Sequence, residues 1–388
     1  MQVMRTPKSM DLEITTRCNL RCEYCSHFTS AGDVSLDFPK EEWLKFFEEL
    51  NRCAVMEVTL SGGEPFVRGD IKELIEGIIR NRMRFSILSN GTLISEETAA
   101  FLASTRRCNH VQVSIDGAVP ATHDSFRGEG SFLKAIAGIR NLLNHKVPVT
   151  VRVTIHRKNV QDLEAIAAYL LEDMGLPGFS TNAASPMGLC LGDTGRIQLN
   201  VEEQTLAMEK MLMLTGKYEG RINAQAGPLA QARDWRMMEQ ARREGKDPIP
   251  GRGYLTGCGG PMSQMAVRAD GVFVPCCHIA HVELGRINRD CLQEVWQDHP
   301  ELNKLRERNL IPLNSFEFCQ GCDYLGYCTG SCPALAYNVV KDLYHPSPSD
   351  CFRRFLEEGG SLPSFPSNPP LQKGGRGDFW EIFSEGRS

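Results

Sequence analysis

The sequence predicts an α/β protein: a partial (β/α)6 TIM-like barrel followed by a small cysteine-rich domain. Two observations carry this. Short β-like runs alternate with amphipathic helical segments about six times between Met10 and about Ala184, the pattern of a parallel sheet that curls with its helices outside. Most of the 15 cysteines fall into two groups at ligand-like spacing: Cys18, Cys22 and Cys25 near the start, and eight between Cys258 and Cys332 followed by Cys351.

Strands are expected at Asp11–Thr15, Glu57–Leu60, Phe85–Leu88, Val111–Ile115, Val149–Ile155 and Gly178–Asn182. Between them, helices are expected at Lys40–Leu50, Ile71–Asn81, Ser95–Ala103, Phe132–Asn144 and Val160–Met174, where apolar residues recur at helical spacing. The count stops short of a closed eight-stranded barrel. Residues 1–186 are read as this core. Residues 187–255 carry two further helices, Glu202–Leu214 and Pro228–Arg243, and read as a bridge rather than another repeat. Residues 256–355 form the cysteine-rich domain, whose thin apolar core is expected to depend on metal. The tail, residues 356–388, is rich in Gly, Pro and Ser and reads as extended, with an apolar end, Phe379-Trp380-Glu381-Ile382-Phe383, able to dock on the body.

Composition sets the class of partner. The chain has 43 basic and 48 acidic residues, a net charge of −5 and 41% hydrophobic residues, which excludes a general attraction to nucleic acid or anionic lipid. Nothing reads as a secretory signal, and no run approaches the roughly 18 apolar residues of a membrane span. A cytoplasmic location is expected, with thiols free or metal-bound rather than in disulfides.

The first cysteine group, Cys18-Asn19-Leu20-Arg21-Cys22-Glu23-Tyr24-Cys25, directly follows the first expected strand, at the end of a parallel barrel where active sites lie. Three thiolates can hold three corners of a [4Fe–4S] cube and leave one iron open. The residues alone also allow zinc, with His27 as the nearest fourth ligand, or unmetallated thiols. Downstream, Ser61-Gly62-Gly63-Glu64-Pro65, Ser89-Asn90-Gly91 and Ser114-Ile115-Asp116-Gly117 end the second, third and fourth strands, and His123-Asp124-Ser125-Phe126-Arg127-Gly128 follows. Gly62 and Gly63 would let backbone approach a ligand, Glu64 could accept from an ammonium, and Ser114 and Asp116 could bind hydroxyls.

Taken in order, these segments resemble the radical S-adenosylmethionine (SAM) enzymes. The resemblance implies that Cys18, Cys22 and Cys25 hold a [4Fe–4S] cluster whose open iron chelates SAM, and that one-electron reduction yields a 5′-deoxyadenosyl radical. It implies SAM contacts from Tyr24, Gly62, Gly63, Glu64, Asn90, Ser114 and Asp116, with Arg127 and Arg152 as choices for the SAM carboxylate.

The second group, Cys258-x12-Gly271-x4-Cys276 with Cys319-x2-Cys322-x5-Cys328-x3-Cys332 and then Cys351, closely resembles the SPASM extension of peptide- and protein-modifying members. That likeness implies one auxiliary [4Fe–4S] cluster on Cys319, Cys322, Cys328 and Cys351, and another on Cys258, Cys276 and Cys332. The fourth ligand of the latter stays open, to be supplied by substrate, Cys277 or Cys291. In relatives that oxidise a sulfatase residue, an aspartate proposed as base stands where this chain has Cys277. Cys277 is thus a candidate ligand, a candidate catalytic thiol or a small buried residue. Cys53 and Cys108 read as packing residues, Cys190 as a thiol able to face the cavity, and His278 and His281 as ordinary polar residues.

The expected function is maturation of a ribosomally made precursor peptide through a C–C or C–S crosslink. The alternatives are oxidation of a protein side chain, modification of a small amino-acid-derived substrate, or a non-catalytic iron–sulfur scaffold or electron carrier. A flavodoxin or ferredoxin is the expected reductant. Because only about nine residues precede the first strand, leader recognition is expected from a separate protein, a sheet edge, the bridge or the tail. The Arg-rich stretch Ala232–Arg243 is either a contact for an acidic leader or a solvated helix face.

Overall fold

The structure, a computed structural model, describes residues 3–28, 36–256 and 259–364. Six strands lie side by side in chain order and all parallel: β1 Ser9–Thr15, β2 Glu57–Gly62, β3 Arg84–Ser89, β4 Cys108–Ser114, β5 Val149–Ile155 and β6 Phe179–Ala183. Each overlaps an expected strand. Helices α1 Lys40–Arg52, α2 Ile71–Arg80, α3 Glu96–Thr105, α4 Pro120–Arg127, α5 Ser131–Asn144 and α6 Leu163–Ala168 connect them. The helix α4 is an addition to the expected set, opened by Pro120 at its first position. The helix expected over Val160–Met174 is a composite: a 3-10 turn, α6, and a π turn at Tyr169–Asp173.

The strands alternate because one face carries the helices. On β1, Met10, Leu12 and Ile14 are fully buried in a cluster with Trp43, Phe46, Phe47 and Leu50 of α1. Burial of each such side chain contributes roughly 1.5–3 kcal/mol. Asp11 and Glu13 alternate with them and face the other way. On β5, Val149, Val151, Val153 and Ile155 join the same core, while Thr150 and Arg152 lie on the opposite, polar face.

The sheet extends at both edges. After α7 Thr194–Ile197 and α8 Val201–Lys217, β7 Ile222–Ala224 pairs in parallel with β6 and leads into α9 Pro228–Arg243. The stretch expected only as a bridge therefore also supplies a strand, one too short to show periodicity. At the other edge, after α10 Gly260–Ser263, β8 Gln264–Val267 pairs in parallel with β1, and β9 Val272–Val274 and β10 Gly285–Arg286 continue antiparallel. The cysteine-rich region is thus built onto the first strand. It ends in α11 Leu292–Asp298, α12 Pro300–Arg306, α13 Pro333–Val340 and α14 Phe352–Glu357. The apolar segment Phe379–Phe383 lies outside the described residues. Among the described residues no helix is long and apolar enough to cross a membrane.

Candidate active site at the strand ends

The loop after β1 carries Cys18, Cys22 and Cys25, and the loop after β2 clamps it. Gly63 N donates to Thr15 O at 2.9 Å and Glu64 N to Arg17 O at 2.8 Å. A Cβ on Gly62 would lie 2.1 Å from Thr15 O, and one on Gly63 would lie 2.2 Å from Arg17 O and 3.1 Å from the Cys18 Cβ. The two glycines are therefore required by close approach to the cysteine loop itself; the ligand approach expected from sequence is not their first constraint. The three thiols influence one another. Burial pushes Cys18 up and Cys22 up to about 12, with Arg127 pulling Cys22 down and Cys18 and Cys25 pushing it up. Crowded thiols of this kind become thiolates only beside a positive centre, which fits an iron cluster. Among the described residues no three His, Cys, Asp or Glu side chains close around one metal ion. His27, the zinc alternative's fourth ligand, instead places Nδ1 3.3 Å from Glu13 Oε1.

Behind the loop lie two buried nodes. Glu64 is fully buried, and its carboxylate accepts from Ser89 Oγ at 2.9 Å, Asn90 N at 2.7 Å and Phe66 N at 3.2 Å. Asn90 passes the tie onward, donating from Nδ2 to Asn19 Oδ1 at 2.9 Å. Asp116 is also fully buried: Oδ1 accepts from Thr154 N at 2.8 Å, and Oδ2 accepts from Arg127 Nε at 2.5 Å and from the Tyr24 hydroxyl. Arg127 Nη1 lies 3.9 Å from Cys22 Sγ. Glu64, Asp116 and Arg127 are buried and hydrogen-bonded to one another's surroundings, and they brace the cysteine loop from below. Burial alone pushes Asp116 up, but Arg127, His156 and His123 hold it below the usual carboxylate range.

The polar face holds the rest. Ser114 and Arg152 are register partners on β4 and β5. Arg152 Nε is buried with no partner, a donor suited to an anionic group such as a carboxylate. Across the sheet, Glu13 gathers residues that follow both cysteine groups. His27 Nδ1 reaches it from the first at 3.3 Å, and from the second both Cys277 and His278 lie within its charge. Burial, then Glu13 and Asp11, push the Cys277 thiol well above its ordinary value.

In the second group, Cys319, Cys322, Cys328 and Cys351 line one small cavity with Leu313, Phe318 and Leu325. Burial pushes Cys319 up to about 11 and Cys328 up to about 12, each raised further by its neighbours in the set. Cys276 and Cys332 pack against one apolar cluster of Ile279, Leu305, Ala334 and Leu343. Cys258 lies outside the described residues.

Two further expectations change. Cys190 is fully buried with Phe126, Ala184 and Ile197, so it does not face the cavity. Cys291 is exposed before α11, next to Cys53 at the far end of α1, whereas Cys276 adjoins the Glu13 side. The sequence reading missed Glu13, although polar residues alternating along a strand that enters a cysteine loop were the available signal. It also missed His156, fully buried against Phe126 at 4.2 Å and Tyr24 at 5.5 Å, and pushed down to about 4 first by burial.

Residues 12–170 match the Radical SAM superfamily, and residues 258–323 match the SPASM iron–sulfur cluster-binding domain. The chain is 27% identical over 353 residues to an AdoMet-dependent heme synthase of Methanosarcina barkeri, covering 89% of this chain and 97% of that protein. It is 24% identical over 362 residues to the PqqA peptide cyclase of Granulibacter bethesdensis, covering 90% of this chain and 88% of that one. Among solved structures, Streptococcus suis SuiB bound to its precursor peptide SuiA superimposes with a TM-score of 0.67 at 16% identity, over 90% of this chain and 77% of SuiB.

Proposed function

The chain is a radical SAM enzyme with a SPASM domain, and from that premise we propose that it matures a ribosomally made precursor peptide, removing hydrogen and closing an intramolecular C–C or C–S bond. Cys18, Cys22 and Cys25 hold the cluster that binds SAM, which when bound supplies the radical that abstracts hydrogen. The backbone of Gly62 and Gly63 with Tyr24, Asn90, Ser114 and Arg152 borders the SAM site, Arg152 offering its unpartnered Nε to the carboxylate. Glu64, Asp116 and Arg127 hold these loops in place. Cys319, Cys322, Cys328 and Cys351 take one auxiliary cluster, and Cys258, Cys276 and Cys332 a second. A flavodoxin or ferredoxin supplies electrons.

The observation that carries the peptide reading is Glu13, on the polar face of β1, with His27 Nδ1 3.3 Å away and Cys277 and His278 within its charge. A carboxylate there can accept a proton from a neutral peptide side chain or amide held on the polar face. The likeness to the peptide cyclase adds to this. The heme synthase likeness favours a second reading, a tetrapyrrole substrate. Asp11 and Glu13 weigh against it, because a ring bearing several carboxylates would meet like charge on β1. Anaerobic incubation of the reduced, reconstituted enzyme with SAM and either a co-encoded short peptide or an iron coproporphyrin separates the two. Loss of two hydrogens from the peptide with matching 5′-deoxyadenosine is expected; conversion of the porphyrin alone would reverse the assignment.

A further inference from the structure

We propose that Arg353 is the clamp and counter-charge of the auxiliary cluster held by Cys319, Cys322, Cys328 and Cys351, an inference that rests on those four cysteines being its ligands. All four line one small cavity together with Arg353, the only basic side chain among the described residues that line it.

The clamp acts on the turn between the first two ligands. Cys322 N donates to Cys319 O at 3.2 Å. Gln320, at φ −61° and ψ 137°, and Gly321, at a left-handed φ of 69°, give the turn its type II form, which favours glycine at the third position. The Gln320 carbonyl takes no part in that hydrogen bond, and Arg353 Nη1 donates to it at 3.0 Å. Nη2 donates at 2.6 Å to Phe318 O, on the other side of Cys319. One planar fork thus holds the two carbonyls that bracket Cys319, a geometry that suits a guanidinium better than an ammonium. Arg353 arrives on α14, which opens directly after Cys351 and is anchored by Phe352 and Phe355 against Trp235. It therefore ties the last ligand of the set to the first.

Its charge reaches the same thiols. Burial pushes Cys319 up to about 11 and also raises Cys351, and Arg353 draws both back down. Arg353 Nε stands 3.4 Å from Glu357 Oε1, a mostly exposed carboxylate whose pull solvent weakens. Asp350 also lines the cavity, but its carboxylate is taken up by Gln231 Nε2 at 2.6 Å and by Ser331 Oγ. A thiolate-ligated iron–sulfur cluster carries net negative charge, and its reduction potential depends on charge and hydrogen bonding around it. A fixed cation on the cavity wall favours the more negative, reduced form, so Arg353 raises that potential.

Full-length protein reconstituted anaerobically tests this with Arg353→Gln, Arg353→Lys and Glu357→Gln, and with Cys322→Ala as the control for the ligands. Iron and sulfide content and an EPR-monitored redox titration are the readouts. Cys322→Ala should lose roughly four irons and one EPR signal; unchanged iron would overturn the ligand assignment itself. The signal so identified should titrate at lower potential in Arg353→Gln and return toward wild type in Arg353→Lys. In Glu357→Gln, which removes only the opposing carboxylate, it should stay at or above the wild-type value. Loss of the signal in Arg353→Gln with its retention in Arg353→Lys also supports the proposal. An unchanged or higher potential in Arg353→Gln, a fall in Glu357→Gln, or loss of the cluster in both Arg353 variants while circular dichroism stays native overturns it.

Discussion

Arg127 and Asp116 form a buried ion pair directly behind the first cysteine loop, with Nε 2.5 Å from Oδ2. The pair joins the end of α4 to the end of β4, and the Tyr24 hydroxyl on the same carboxylate oxygen brings in the cysteine loop. Arg127→Gln would leave a buried carboxylate uncompensated and should lower stability by about 3–5 kcal/mol. Because Asp116 is held below the usual carboxylate range, its contribution is present above roughly pH 4 and is lost as pH falls through its folded value. Chemical denaturation of the wild type and of Arg127→Gln at neutral pH checks the first statement. A wild-type melting temperature that does not fall below pH 4 would contradict the second.

Glu64 behaves in the opposite sense. Burial raises it from 4.5 to about 7, against the three donors that satisfy it. An acid whose folded value is raised gives stability that is present below about pH 4.5 and is lost as pH rises to about 7, on the order of 3 kcal/mol. Glu64→Gln should flatten that part of the profile. Thermal melts from pH 5.5 to 8 decide it, and parallel profiles for the two proteins would sink the idea.

Gly63→Ala should disrupt the first cysteine loop, since its Cβ would lie 2.2 Å from Arg17 O. A cost of about 1–3 kcal/mol is expected from overpacking alone. The reconstituted variant should also lose iron at the first site while keeping the auxiliary iron. Full iron content with normal SAM cleavage would show that the loop has room to yield.

Glu13→Gln and Cys277→Ala should both retain wild-type iron and cleave SAM without substrate at near-normal rates. Product formation in Glu13→Gln should fall by roughly 10²-fold, the usual scale for loss of a proton acceptor. Separate quantitation of 5′-deoxyadenosine and product makes the comparison. A loss of four irons in Cys277→Ala would instead make that thiol a ligand.

The strand–helix alternation was readable because each of β1 to β6 is long enough to show its period, and β5 spans Val149–Ile155 as expected. The strands β7 and β8 were not, having three and four residues and taking their identity from the partners they meet. Cysteine spacing singled out the loop after β1 and the four cysteines, Cys319, Cys322, Cys328 and Cys351, that line one cavity. Whether Asp116 and Arg127 face a ligand or each other is decided by the packing of α4 on the sheet, which no local pattern records. Cys190 likewise had the same local appearance as an accessible thiol.

The pairing of β8 with β1 also sets a timetable. Asp11 waits for Ala266, its register partner, which the ribosome adds 255 residues later. At the usual pace of synthesis that interval lasts roughly 13–50 s, during which β1 has an open side. The strand leading into the first cysteine loop is thus made long before the strand that closes its open side. Until β8 is in place the first cysteine loop leaves a strand sheltered on one side only.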